Sequence, residues 1–144
     1  MDSPKLYDLP DFKIVRMEKD PLTYTVIGCA MKVHSTLGNG FQEVIYQRCL
    51  QIELEKANLK FAREVEQTVY YKEVAVGTRR ADFIVEERLV VELQATINLE
   101  DVHLAQAKNY VAAYNFKHGL LINFGSKSLQ YKLIFNSKHN SVNS

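Results

Sequence analysis

Leu89-Val90-Val91-Glu92-Leu93-Gln94-Ala95 is the stretch on which the fold turns. Five of its seven residues are apolar, and those five occupy both faces that a β-strand presents, so it reads as a strand covered on each side. Glu92 and Gln94 share one face and interrupt it. A carboxylate in the middle of a covered strand is costly to desolvate unless it is paired or holds a metal.

Working outward, Asn98 reads as the cap of a helix from Leu99 to about Tyr114, with Asp101 as its capping-box partner. His118–Phe124 and Leu129–Phe135 read as two closing strands. A strand-helix-strand crossover makes the central strand parallel to the one after the helix. Upstream, Glu86-Glu87-Arg88 makes a turn, preceded by strands at about Val76–Val85 and Phe61–Tyr71, both rich in Val, Thr and Tyr. Before them lie two helices. One begins at Asp20-Pro21 and stops at Gly38, with Leu22, Val26, Cys29, Ala30, Val33 and Leu37 at helical spacing. The other runs from about Gln42 to Ala57, with Ile45, Tyr46, Cys49, Leu50 and Leu54 as its buried stripe and Asn58 as terminator. The fold class is therefore α/β, a mixed sheet flanked by helices in the order α-α-β-β-β-α-β-β.

A chain of 144 residues fits one domain, expected over 20–136, with a flexible arm over 1–19 and a frayed tail over 137–144. An apolar fraction of 47% with 24% charged residues is that of a globular protein. The net charge of +1 supplies no global attraction for nucleic acid, so a local basic patch would have to do so. Residues 1–20 lack the apolar core of a signal peptide, and no apolar run reaches the roughly 20 residues of a membrane span. With Cys29 and Cys49 read as free thiols, the expected location is the cytoplasm, away from membranes.

Asp82 lies in the strand before Glu92, about where a short hairpin would bring the two level. Two converging carboxylates repel each other, and a divalent cation relieves the repulsion; oxygen ligands suit Mg²⁺ or Mn²⁺. An ion pair with Arg63, Arg79 or Arg80 accounts for Glu92 equally well. On the third helix, Val102, Gln106, Tyr110 and Ala113 fall on one line, where Gln106 breaks an apolar stripe and stands one turn from Tyr110. Glu43 shares a face with Tyr46 and Leu50 and also suits the helix N-terminus as a carboxylate. His34, His103, His118 and His139 show no ligand spacing.

Together these residues resemble a known family. Gly40-Phe41-Gln42-Glu43-Val44-Ile45-Tyr46 matches the motif that names the GxxExxY family, and Arg80-Ala81-Asp82, Glu92-Leu93-Gln94 and Gln106-Ala107-Lys108-Asn109-Tyr110 follow in its order. Gly119–Gly125 is similar to its penultimate strand. That family resembles the RecB-like exonuclease branch of the PD-(D/E)XK superfamily, which implies a restriction-endonuclease-like core and Mg²⁺- or Mn²⁺-dependent hydrolysis of phosphodiester bonds in DNA, less readily RNA. The resemblance implies that Asp82, Glu92 and the Leu93 carbonyl ligate the metal with help from Glu43, and that Gln106, Tyr110 and Arg80 contact the substrate. The superfamily's lysine two residues after the glutamate is Gln94 here, which orients water without adding charge. The alternative is a catalytically impaired module of the same fold that binds nucleic acid or a protein partner. The strand over Leu129–Phe135 could pair across a homodimer.

Overall fold

Proline fits the first turn of a helix because its fixed φ is already helical and its missing N–H had no partner to lose. Pro21 opens the first helix in the computed structural model, which describes residues 20–113 and 115–136. Eight elements follow in the expected order: α1 (Pro21–Leu37), α2 (Glu43–Lys56), β1 (Phe61–Tyr71), β2 (Val74–Val85), β3 (Leu89–Gln94), α3 (Asp101–Ala113), β4 (His118–Asn123) and β5 (Gln130–Phe135). The arm expected over 1–19 and the tail over 137–144 lie outside the described residues. Asp20 anchors the start of α1: it accepts from the Thr23 hydroxyl at 2.6 Å and from Arg88, in the β2–β3 turn, at 3.1 Å.

The strands form one sheet in the order β1-β2-β3-β4-β5. β3 and β4 are parallel, joined through α3, and the other neighbouring pairs are antiparallel. Alternation along the inner strands divides the core into two. Val91, Leu93, Leu120 and Ile122 pack with α1 and α2 on one face of the sheet. Val90, Leu121 and Ile134 pack with α3 on the other. The result is an α/β/α sandwich with β3 buried on both sides, as its composition requires.

Two expectations for α3 are corrected. The helix begins at Asp101 and not Leu99, which leaves Asn98 three residues before it, out of the cap position and in the preceding loop, where its carbonyl accepts from the Thr96 hydroxyl. The His103 ring caps the helix instead, with Nδ1 accepting from the Glu100 N–H at 2.9 Å. The buried stripe is Leu104, Ala107 and Val111, whereas Val102, Gln106 and Ala113 are exposed and Tyr110 is half-buried. Leu104, Ala107 and Val111 recur at the same helical spacing and match the sheet surface of Val90, Leu121 and Ile134. The approach is close: a Cβ on Gly119 would lie 2.1 Å from Val111 Cγ2.

The β1–β2 hairpin is much longer than its partner strand. β2 pairs with β3 only from Phe83 to Val85, so the hairpin beyond that point projects as an arm alongside α3. At the base of the arm both strands change side. Phe83 and Val85 pack with α1 and α2, but Ala81 packs with α3. On β1, Arg63 bonds to Gln47 and Gln51 of α2, whereas Gln67 donates to the Ala113 carbonyl of α3. A regular strand would keep these odd-numbered residues on one face. The switch falls at Glu64 and Asp82, which stand opposite each other and are skipped in the ladder, with Glu64 held at φ 50°.

Candidate active site

The register of β2 and β3 sets the two central carboxylates opposite each other, one step beyond the last bonded pair. The last ladder pair is Phe83↔Val91, and the next step, Asp82 against Glu92, is open. A side chain fills the gap: the Leu93 N–H donates to Asp82 Oδ2 at 2.7 Å. The main-chain N–H of Asp82 lies close enough to the Glu92 carboxyl to favour its charged form. Gln47 of α2 donates to Asp82 Oδ1 at 3.1 Å, and Arg63 donates to Gln47 Oε1 at 2.9 Å, so Asp82 is held from the α2 side. Glu92 is on the same alternation as Val90 and therefore on the α3 face.

Glu92 is 6% exposed, and its Oε1 has no hydrogen-bond partner among the described residues. Burial, followed by the negative charge of Asp82, pushes its carboxyl up to about 9; the Asp82 amide and Arg79 offset only part of this. Burial likewise raises Asp82, against the lowering effect of the Leu93 N–H. Glu43, in the first turn of α2, is exposed at its solvent side, yet the protein around its carboxyl and the Asp82 charge lift it to about 7. The three acids therefore act on one another electrostatically across α2, β2 and β3. Among the described residues no group of three or more acidic, histidine or cysteine side chains is gathered as a ready-made metal cage. What the fold supplies is the Asp82–Glu92 pair with an unpartnered buried oxygen, an oxygen donor set that fits a hard divalent cation. Leu93, expected to offer its carbonyl, is seen here offering its N–H.

The other candidate residues are placed less centrally. Gln94, at the end of β3, is half-buried and shares the Glu92 face. Tyr110 is half-buried beside the acids: burial first, then the Glu92 charge, raise its hydroxyl pKa. Gln106 stands one turn earlier on α3 and is exposed, as is Lys108. Arg80 is exposed and paired with Glu66 at 3.6 Å. Its neighbour Arg79 lies over the Tyr110 ring, 4.9 Å from guanidinium carbon to centroid. Gln47 and Glu64 escaped the sequence reading altogether. Gln47 is a buried polar residue on α2 beside Tyr46 and Leu50, a signal open to a reading that asked what a buried amide was for; Glu64 carries none, since only the side-switch places it opposite Asp82.

A three-layer α/β domain with a carboxylate pair at the fork of two central strands is the architecture of a restriction-endonuclease-like nuclease core. The chain belongs to the PD-(D/E)XK nuclease superfamily: the sequence model of that family matches residues 20–134, from the residue before α1 into β5. Among solved structures, the crystal structure of SSO0001 is similar, with 18% identity, a TM-score of 0.49, and 65% of this chain aligned to 50% of that one. This chain therefore spans half the length of that structure's chain. No curated protein matches the sequence.

Proposed function

We propose that this protein is a divalent-metal-dependent nuclease that hydrolyses phosphodiester bonds in DNA. The observation that carries the reading is Glu92: a buried carboxyl on a central strand, opposite Asp82 one step beyond the last bonded pair, with Oε1 unpartnered. An oxygen left bare in a buried site costs stability, and a cation offsets that cost. Asp82 and Glu92 would hold Mg²⁺ or Mn²⁺, with the Leu93 carbonyl and Glu43 completing the set. When bound, the metal supplies charge neutralisation at the phosphate and an acidified water.

The chain's own residues divide the remaining work. Leu93 N–H and Gln47 fix the Asp82 carboxylate, so its orientation is set before substrate arrives. Gln94, on the Glu92 face, accepts from and donates to an attacking water in the place where the superfamily carries a lysine. Tyr110 and Gln106 contact a phosphate or the hydration shell of the cation, and Arg79 or Arg80 adds the positive charge. The GxxExxY segment at Gly40–Tyr46 and the Gln106–Tyr110 spacing support a RecB-like affinity. The free thiols Cys29 and Cys49 accord with a reducing cytoplasm. Among the described residues no helix is long and apolar enough to cross a membrane. β5, an edge strand ending at the exposed Phe135, is where a second copy would add.

A second reading rests on Gln94. Without a lysine the site carries less positive charge, which favours a module that binds nucleic acid or a protein without turnover. Labelled single- and double-stranded DNA and RNA incubated with Mg²⁺ or Mn²⁺ separate the two. Cleavage by wild type that is absent in Glu92→Ala supports the nuclease; no cleavage, or cleavage equal in both, supports the binding module.

A further inference from the structure

The arm formed by β1 and β2 leaves a groove against α3, with a cavity of about 760 Å³ whose lining includes Glu66, Gln67, Tyr70, Arg79, Asn109 and Ala113. We propose that this groove binds a single nucleic-acid strand and leads it to Glu92, with Arg79 on a phosphate and Tyr70 stacked on a base. This rests on the nuclease reading for its destination but not for its chemistry.

Several observations converge on a strand as occupant. Arg79 Nε and Gln67 Oε1 are buried without a hydrogen-bond partner, one a donor and one an acceptor, on the two strands that wall the groove. Both atoms are closed to solvent, so what the groove offers a phosphate is the remainder of the Arg79 guanidinium, which makes no hydrogen bond to the described residues. Glu66, the acid of the lining, is paired with Arg80 at 3.6 Å. Tyr70 is 66% exposed, and Tyr71, Val74 and Val76 beside it at the arm's tip are also exposed, an apolar surface that offers bases a stacking platform. Arg79 spans the distance to the acids, because its guanidinium covers Tyr110 and its charge acts on Glu92. Tyr70 decides between strand and duplex: stacking on its exposed ring requires an unpaired base, and the groove is open enough for an extended strand to lie along it.

The test is fluorescence anisotropy in EDTA, where cleavage is blocked, with labelled single-stranded deoxy- and ribo-oligonucleotides of about 12 nucleotides, within the range of one such binding site. A blunt hairpin duplex is the third probe. The wild-type chain is compared with Tyr70→Ala and Asn109→Glu, both at exposed positions, with circular dichroism confirming the fold. Single strands are expected to bind more tightly than the duplex, each variant weakening them about tenfold through lost stacking or added negative charge. The deoxy and ribo arms report which strand is preferred. Single-strand binding that is absent, no stronger than duplex binding, or unchanged in both folded variants overturns the proposal. Groove-dependent binding without Mg²⁺-dependent cleavage supports the groove and sinks only the catalytic reading.

Discussion

The Asp82 carboxylate accepts the Leu93 amide at 2.7 Å, at the first step where β2 and β3 cease to pair. A side chain thus substitutes for the main-chain carbonyl that a continued ladder would have supplied. The substitution frees Asp82 to stand in the fork beside Glu92 while leaving no orphaned N–H. Asp82→Ala is therefore expected to cost about 1–3 kcal/mol in urea denaturation through the unsatisfied Leu93 N–H, as well as abolishing cleavage. Asp82→Asn retains an acceptor oxygen, so it should keep most of that stability and still lose cleavage. Equal stability losses in the two variants would show that the hydrogen bond is not what matters.

In the metal-free protein the buried acids make stability depend on pH. Glu92 moves from 4.5 to about 9 and Glu43 from 4.5 to about 7, so the folded state binds more protons than the unfolded state between those values. Stability is fully present below about pH 4.5 as far as these groups are concerned, and falls as pH rises towards 9. Glu92→Gln removes the larger contribution. Its thermal midpoint in EDTA should exceed that of wild type, by more at pH 9 than at pH 6. Mn²⁺ should raise the wild-type midpoint and leave the variant's almost unmoved. A variant less stable than wild type at every pH would refute this account of the buried carboxyl.

Gln94 sits on the Glu92 face at the end of β3, where a longer cationic side chain has the same direction to follow. Gln94→Lys is expected to raise single-turnover cleavage with Mg²⁺ by about tenfold or more, the scale of one added electrostatic contact to developing charge. Gln94→Ala should lower it. Lysine without benefit, in a protein whose cleavage still requires Glu92, would place the charge needed for turnover elsewhere, with Arg79 the first residue to examine.

Gly119 marks the closest approach of α3 to the sheet, since an added Cβ would sit 2.1 Å from Val111 Cγ2. Valine has little rotamer freedom in a helix and cannot swing away. Gly119→Ala should destabilise the fold by about 1–3 kcal/mol. Adding Val111→Ala should recover part of the loss, which a double-mutant comparison in denaturant would reveal. Because Tyr110 adjoins Val111, the single variant should also slow cleavage by displacing Tyr110.

The residues alone were enough for the element order, the mixed sheet, the two-sided burial of β3, and the anomaly of a carboxylate at Glu92. Each of these is a local property, set by the period of apolar residues, by Pro21 and Gly38 at the helix ends, and by the crossover that makes β3 and β4 parallel. The resemblance to the PD-(D/E)XK nuclease superfamily followed from the same strings. The α3 stripe was misread because two helical lines, 102-106-110-113 and 104-107-111, are both largely apolar. Only the sheet surface that α3 meets chooses between them. Tertiary structure alone decided that β2 parts from β3 at Asp82, that both arm strands change face there, and that Arg79 covers Tyr110 while the adjacent Arg80 pairs with Glu66. Strand periodicity assigns a face only while the ladder is regular. It is interrupted at Glu64 and Asp82, where Asp82 takes hydrogen bonds from Gln47 and Leu93, segments distant in the chain, and partners of that kind leave no mark in any local run of sequence.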